Sequence, residues 1–232
     1  MVACGPLAPT YSPRASGRLP ASLWLKLSSE QSPFGPSEVD YYRRDYCGLA
    51  QVPIPQCYDA CYDAVLEGYH LLLEDVSASH RNAHDVEPDP AYAEAFGRAV
   101  CRLHAFRWGA VRWREIGAVA PTAAAIDRYA VTSAAGFQRL LEATQGDLHP
   151  GQTKTLRRVF ARYPAAIQSR AADLQGQTVV HGDPNLGNLL LPRQWSGLLY
   201  LIDRQPFERS LTVWLGASDL AYLMVTPWPT EA

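Results

Sequence analysis

The segment that most constrains the fold is residues 179–203, in which short apolar runs flank a polar loop. The loop sequence HGDPNLGN, residues 181–188, is rich in Gly, Pro, Asp and Asn, which favour turns over helices and long strands. The apolar runs on either side are short enough to be strands. Asp183 and Asn188 therefore lie in a loop between strands and Asp203 at a strand end, so that all three side chains can converge on one cleft.

Two carboxylates and a carboxamide in one cleft suit Mg²⁺, a hard ion that takes oxygen ligands and shares them with phosphate. Phosphoryl transfer requires little more than a metal on the phosphates, a cation beside them and a carboxylate that receives the hydroxyl proton. Asp183 is the candidate base, and Asn188 and Asp203 are candidate metal ligands. Taken alone, Asp183 is more typical of a turn, because Gly-Asp-Pro-Asn is a good turn sequence. Its combination with the other two residues favours catalysis.

A candidate cation for the phosphates is Lys26, which lies inside the alternating apolar segment SLWLKL. We predict a strand here, and a charge within such a strand is costly to bury unless it is paired. Glu38, in a predicted helix over residues 37–45, is the candidate partner. Two plainer interpretations stay open: Lys26 extends its ammonium to solvent from an edge strand, or Glu38 only complements a helix N-terminus.

The remaining pattern predicts two lobes. Residues 1–21 carry no long periodic stretch, and residues 77–90 form a polar connector. Alternating and apolar runs predict strands at 22–27, 57–63, 69–74, 178–180, 189–191 and 198–202. Helical spacing and end signals predict helices at 37–45, 91–108, 122–144, 152–174 and 216–224. This segregation predicts an α+β fold with an N-lobe over residues 1–76 and a C-lobe over residues 77–232.

Composition narrows the class of protein. Of the 232 residues, 47% are hydrophobic and 19% are charged, which is ordinary for a globular protein and argues against disorder. The net charge of -2 gives no global basic field, so no nucleic-acid partner is expected. No apolar run approaches the roughly 20 residues of a membrane helix, so no membrane partner is expected either. Five cysteines without metal spacing and no secretory signal predict reduced thiols and a cytoplasmic location.

The loop HGDPNLGN followed by LID at residues 201–203 resembles the catalytic and metal-binding motifs of the aminoglycoside phosphotransferase and choline kinase-like group. These are small-molecule kinases with the protein-kinase-like fold, and the similarity is greatest to the ecdysteroid-kinase-like branch. Further segments are similar in the same order along the chain: SLWLKL, SEVDYYRRD, LLLEDVS, LHAFRW and ASDLAYLM. The resemblance implies an ATP- and Mg²⁺-dependent transfer of the γ-phosphate to a hydroxyl of a small-molecule acceptor.

The resemblance also implies a role for each matching residue. The implied set comprises the catalytic Asp183; the ATP-binding residues Lys26, Glu38, Leu73, Glu74, Asp75 and Val76; the metal ligands Asn188 and Asp203; and the supporting residues His181 and Asp219. Lys26 would hold the phosphates, the four residues that begin at Leu73 would form the hinge that meets adenine, and Asp219 would anchor the catalytic loop from below.

Three departures from the family pattern qualify this expectation. Arg204 follows Asp203 where related proteins carry an aromatic residue. No glycine-rich loop precedes Lys26, so we expect a reduced N-lobe that lacks its first strand or two. The sequence also ends soon after the segment that carries Asp219, so both ends look shortened. The alternative function is therefore a non-catalytic kinase-like binding module, or an inactive fragment.

Overall fold

An antiparallel four-stranded sheet forms the N-terminal part of the computed structural model, and its strands lie in the order first, second, fourth and third along the chain. The structure describes residues 2–28, 35–144, 147–204 and 212–225. The strands are β1 (Val2–Leu7), β2 (Leu23–Ser28), β3 (Cys57–Asp63) and β4 (Gly68–Glu74). The strands predicted at 22–27, 57–63 and 69–74 are confirmed.

The first strand corrects the expectation for the N-terminus. Residues 2–7 pair along their whole length with β2, so that Cys4 lies opposite Lys26. The sequence obscured this strand because it contains Gly5 and Pro6, both of which are depleted in strands. Proline is tolerated here because β1 is the edge of the sheet.

One helical segment joins the sheet to the rest of the molecule. It begins as α1 (Ser37–Asp40) and continues as a π-helical turn (Tyr41–Asp45), which confirms the helix predicted at 37–45. Val39 packs in a small core under the sheet with Leu71 and its neighbours. Tyr41 instead belongs to the main core of the C-terminal part. The segment therefore bridges two cores. The two prolines of residues 28–36 predict a loop there, and most of this range lies outside the described residues.

The C-terminal part is mainly helical. Its helices are α2 (Pro90–Phe106), α3 (Ala110–Arg114), α4 (Ala123–Ala143), α5 (Pro150–Ala172) and α6 (Ala217–Val225). Asp89 caps α2 by accepting from the amide of Tyr92, with Pro90 in the first turn, and Thr122 caps α4 through the amide of Ala125. The four long predicted helices are confirmed. The short α3 was missed because five residues show no period.

Short strands frame the polar loop. They are β5 (His80–Asn82), β6 (Gln177–Val179), β7 (Leu189–Pro192), β8 (Tyr200–Leu201) and β9 (Val213–Leu215). The strands β5, β7 and β8 form one sheet, and β6 pairs with β9. Leu189, Leu191 and Leu201 are fully buried, and this burial fixes the loop against the helical core. The segment predicted as a connector at 77–90 contains β5, which is a correction, and the strand predicted at 198–202 is shorter than expected.

The architecture is α+β, with a small sheet lobe and a mainly helical lobe, as predicted. The lobe boundary between residues 76 and 77 stays a prediction. Of the residues that the structure describes, none belongs to a helix that is both long and apolar enough to cross a bilayer.

Candidate active site

Lys26 projects from β2 into the interior and forms two ion pairs. Its Nζ lies 2.8 Å from Oε1 of Glu38 and 2.5 Å from Oδ1 of Asp203. The side chain of Lys26 is only 9% exposed and that of Glu38 is fully buried, whereas that of Asp203 is 40% exposed. The hydroxyl of Tyr69 donates to the other oxygen of Glu38. The structure thus brings together three residues that the sequence places far apart.

The charges in this cluster stabilise one another. Burial opposes the charge on Lys26, but the carboxylates of Glu38 and Asp203 outweigh it and raise the pKa of Lys26. Burial, helped by the charge of Asp203, raises the pKa of Glu38 in spite of Lys26. Lys26 therefore stays protonated at neutral pH, as a residue that binds phosphate must.

The polar loop holds Asp183 and Asn188 against each other. Asn188 ends a 3₁₀ turn (Leu186–Asn188), which Asn185 caps by accepting from the amide of Gly187. The amide nitrogen of Asn188 donates to the backbone oxygen of Asp183 at 2.8 Å and to its Oδ2 at 3.3 Å. Because the nitrogen faces Asp183, the amide oxygen is the atom of Asn188 that a cation would use.

Asp219 fixes the start of the loop from the first turn of α6. It is 1% exposed and accepts hydrogen bonds from the backbone amides of His181 and Gly182, at 2.8 and 2.9 Å. Nε2 of His104 lies 2.8 Å from the same carboxylate. Burial opposes ionisation of Asp219, but these hydrogen bonds lower its pKa. The loop is therefore anchored by a buried carboxylate.

Asp203 adopts a left-handed backbone conformation, with φ 59°. The preceding residue, Ile202, is held by two hydrogen bonds of 2.9 Å. Its backbone amide donates to the backbone oxygen of Asn188, and its own backbone oxygen accepts from Nε2 of His181. Because His181 donates through Nε2, its proton sits there, and burial lowers the pKa of the ring. His181 orients the strand end that carries Asp203.

A cavity of about 680 Å³ opens between the sheet and the helical lobe. Lys26 and Asp203 line it, as do all four predicted hinge residues: Leu73, Glu74, Asp75 and Val76. Asp183 and Asn188 are not part of this lining. They connect to it through the hydrogen bond between Asn188 and Ile202. Among the predicted residues, Lys26, Asp203 and the four hinge residues thus form part of the cavity wall, and Asp183 and Asn188 lie in the adjacent polar loop.

The hinge carboxylates are already engaged by the segment that precedes β2. Arg18 donates to Oε1 of Glu74 at 2.5 Å, and the hydroxyl of Ser22 donates to Oδ2 of Asp75 at 2.5 Å. Hydrogen bonds from Ser22 and Ser77 lower the pKa of Asp75. The carboxylates of Glu74 and Asp75 are therefore already bonded to other residues of the chain.

The oxygen donors suit a hard divalent cation held by few protein atoms. Across 2–28, 35–144, 147–204 and 212–225, no group of three or more His, Cys, Asp or Glu could hold a metal. Asp203 contributes a partly exposed carboxylate at the cavity wall, and Asn188, whose backbone oxygen accepts from the amide of Ile202, contributes a neutral side-chain oxygen. Mg²⁺ keeps several waters and takes substrate phosphates, so one or two protein carboxylates are sufficient. The donor set fits Mg²⁺ bound together with a nucleotide.

Two contacts escaped the sequence analysis. The phenol of Tyr222 hydrogen-bonds the carboxyl of Asp183, and burial followed by this contact raises the pKa of Tyr222. Tyr222 lies three residues after Asp219 in α6, so helical spacing could have placed both on one face. Arg204 is 1% exposed, and its guanidinium carbon lies 5.8 Å from the centre of the Tyr41 ring. It occupies the interior where an aromatic side chain was expected.

Comparison with known protein families places the chain in one of them. The phosphotransferase enzyme family matches residues 25–203, and the chain belongs to this family. The match runs from the strand that carries Lys26 to Asp203, and it contains every site residue predicted from the sequence except Asp219. No curated protein matches the chain by sequence at a significant level.

Solved structures with a similar fold include three small-molecule kinases. Choline kinase LicA from Streptococcus pneumoniae is 14% identical, with a TM-score of 0.47 over 93% of this chain and 69% of its own. A glucosamine kinase is 16% identical, with a TM-score of 0.48 over 95% of this chain and 57% of its own. A thermostable mutant of aminoglycoside phosphotransferase APH(4)-Ia is 14% identical, with a TM-score of 0.42 over 86% and 64%. The chain thus spans about three fifths to two thirds of the length of these structures.

Proposed function

We propose that this protein transfers the γ-phosphate of ATP to a hydroxyl of a small molecule, with Mg²⁺ as the metal. The observation that carries the proposal is the position of Lys26, which pairs with both Glu38 and Asp203 at the wall of a cavity that reaches the hinge. A protonated amine next to a half-exposed carboxylate is the pair that phosphates and their metal require. The family membership supports the same reaction type.

In this proposal the nucleotide occupies the cavity. Adenine lies against the hinge residues Leu73–Val76, and the phosphates extend toward Lys26. Asp203 and the amide oxygen of Asn188 hold Mg²⁺, which when bound neutralises charge on the phosphates. Glu38 keeps the ammonium of Lys26 oriented, because its own carboxylate is buried and bonded to Tyr69. Positioning and charge neutralisation supply most of the rate enhancement.

Asp183 receives the acceptor's proton. The acceptor oxygen forms the new bond to the γ-phosphorus while the bond from that phosphorus to the bridging oxygen breaks. The hydroxyl proton passes to the carboxylate of Asp183, and ADP leaves. Asn188 and Tyr222 hold this carboxylate by hydrogen bonds, so its orientation is set before an acceptor binds. General-base assistance of this kind contributes about 10²- to 10⁴-fold.

Two measurements test the proposal in order. Thermal unfolding with Mg-ATP at 100 times its dissociation constant should show a stabilisation of about 2.7 kcal/mol. ADP release should then be measured with aminoglycosides, choline, hexosamines and steroid-like alcohols, and Asp183→Asn should lower it about 10²- to 10⁴-fold. Asp85→Asn, an exposed aspartate that lines the cavity, is the matched control and should retain the rate.

Each outcome separates the two functions. Stabilisation by nucleotide without turnover of any acceptor would support the non-catalytic binding module. Equal turnover in the unsubstituted chain and in Asp183→Asn would contradict the role of Asp183. The ecdysteroid-kinase-like branch and the cytoplasmic location stay predictions.

A further inference from the structure

Arg204 forms a buried ion pair with Asp45 across the two parts of the molecule. Its Nη1 lies 2.7 Å from Oδ2 of Asp45, and the side chains are each 1% exposed. Its Nε donates to the backbone oxygen of Val180 at 3.0 Å. The guanidinium therefore binds two separate elements at once: the end of the helical segment 37–45 and the strand that leads into the polar loop.

These bonds bear directly on Asp203. Asp203 is in the left-handed region, with φ 59°, which is uncommon for a residue other than glycine and which contacts of the neighbouring residues help to hold. On one side, Ile202 is tied to Asn188 and His181. On the other side, Asp203 is followed by Arg204, whose side chain is paired with that of Asp45. Both neighbours of Asp203 are thus fixed, and so is the direction of its carboxylate.

The same helical segment holds Asp203 by two routes. Glu38, near its start, binds Lys26, which binds the carboxylate of Asp203. Asp45, at its end, binds Arg204, which follows Asp203 in the chain. An aromatic side chain at position 204 could fill the same interior but could not form an ion pair with Asp45, which lies 159 positions away. Replacing a buried ion pair by apolar groups is often neutral or stabilising, so stability alone does not explain this one.

We propose that Arg204 is a positioning residue that sets the orientation in which Asp203 meets Mg²⁺. This inference rests on the proposed function, because it assigns the metal to Asp203. It assigns no chemistry to Arg204 itself: the guanidinium acts only by fixing the backbone after Asp203.

The test measures metal-dependent binding rather than turnover. The affinity of the full chain for a fluorescent non-hydrolysable ATP analogue is titrated against Mg²⁺. Arg204→Met should raise the half-saturating Mg²⁺ concentration about 10-fold or more, as is typical when a group supporting a metal ligand is lost. The affinity for the analogue without Mg²⁺ should stay unchanged, because the cavity wall is intact.

Arg107→Met is the matched control. Arg107 is 7% exposed and its Nε donates to the backbone oxygen of Asp45 at 2.5 Å, so its loss disturbs the same helix end without touching position 203 or its neighbours. It should leave the half-saturating Mg²⁺ concentration within about twofold, against the 10-fold expected above. An equal shift in Arg107→Met and Arg204→Met would overturn the inference, because the effect would then be general loosening.

A second variant guards against loss of folding. Asp45→Asn keeps the shape of the partner and removes its charge, and it should shift the Mg²⁺ dependence in the same direction as Arg204→Met. The double variant should shift it no further than Arg204→Met alone, since both act through one pair. This inference alone would be overturned if the unsubstituted chain bound the analogue in an Mg²⁺-dependent way and Arg204→Met or Asp45→Asn had the same half-saturating Mg²⁺ concentration. No Mg²⁺-dependent binding by the unsubstituted chain would overturn the proposed function and this inference with it.

Discussion

The ammonium of Lys26 lies 2.5 Å from the carboxylate of Asp203, although 177 positions separate the two residues. The contact joins the sheet lobe to the strand end that follows the polar loop, at the wall of the cavity of about 680 Å³. Because Glu38 binds the same ammonium, one cation holds two carboxylates of different exposure: Glu38 is fully buried, and Asp203 faces the cavity. The buried carboxylate fixes the lysine, and the exposed one stays within reach of a ligand.

Replacing Lys26 should remove nucleotide binding while sparing the fold. Lys26→Met keeps the length and apolar stem of the side chain but removes the cation that we propose binds the phosphates. Glu38, whose pKa is raised by burial, can take up a proton and tolerate the loss. We expect the thermal stabilisation by Mg-ATP, about 2.7 kcal/mol at 100 times the dissociation constant, to disappear. Lys154→Met, at the other lysine of the chain, lies on the exposed surface and should keep it.

Replacing Asp203 should affect the metal more than the nucleotide. Asp203→Asn removes the anionic oxygen proposed to bind Mg²⁺ and leaves Lys26 paired with Glu38. Mg²⁺ should then no longer improve the affinity for an ATP analogue, as measured by fluorescence titration with and without the metal. Asp85→Asn lines the same cavity and should preserve the metal effect. A retained Mg²⁺ dependence in Asp203→Asn would assign the metal to other residues.

Asp219 should be among the most sensitive polar positions of the fold. Asp219→Asn replaces one carboxylate oxygen by an amide NH₂ group, so that only one of the backbone amides of His181 and Gly182 keeps its acceptor. Each buried donor left unsatisfied costs about 1–3 kcal/mol, so urea unfolding should show a loss in that range or above it. Asp127→Asn, an exposed aspartate on α4 that binds Gln168, should change the free energy of unfolding by about 0.5 kcal/mol or less. Similar losses in both variants would contradict the anchoring role.

Stability should decline as the pH falls from about 7 to 5. The folded chain resists protonation of His181, because burial lowers the pKa of the ring below its ordinary value of 6.5. The unfolded chain takes up the proton below that value, so it binds more protons and gains relative to the folded state. The loss is at most about 1.4 kcal/mol per pH unit. Urea titrations at several pH values should show that the free energy of unfolding changes less steeply with pH in His181→Gln than in His84→Gln, which changes an exposed histidine. Equal slopes would contradict this assignment.

Much of the site could be predicted from the sequence because its signals are local. The turn-rich loop between apolar runs placed Asp183 and Asn188, and a lysine inside an alternating strand called for a partner such as Glu38. The cost of an unpaired charge in such a strand makes this inference possible from one short segment. The helix at 37–45 followed from the signals at its start, and the four long helices of the C-terminal part followed from periodicity and end signals.

What could not be predicted depends on tertiary contacts. Nothing near Arg204 in the sequence points to Asp45, because the pair forms between elements 159 positions apart and is stable only in the interior. The strand at residues 2–7 contains Gly5 and Pro6, and it exists because β2 supplies a hydrogen-bonding partner along its whole length. In both cases the structure depends on pairing with a distant element, which local propensity does not indicate.

The left-handed backbone at Asp203 restricts which variants this position can tolerate. Of the residues with side chains, Asp and Asn enter this region most readily, whereas β-branched and bulky residues enter it at a substantial cost. Asp203→Glu, conservative in charge, would therefore have to adopt a backbone that its longer side chain does not help to stabilise. In a library of random substitutions, few residues other than aspartate would satisfy both the backbone and the charge, so drift at position 203 would be restricted even where no ligand is bound.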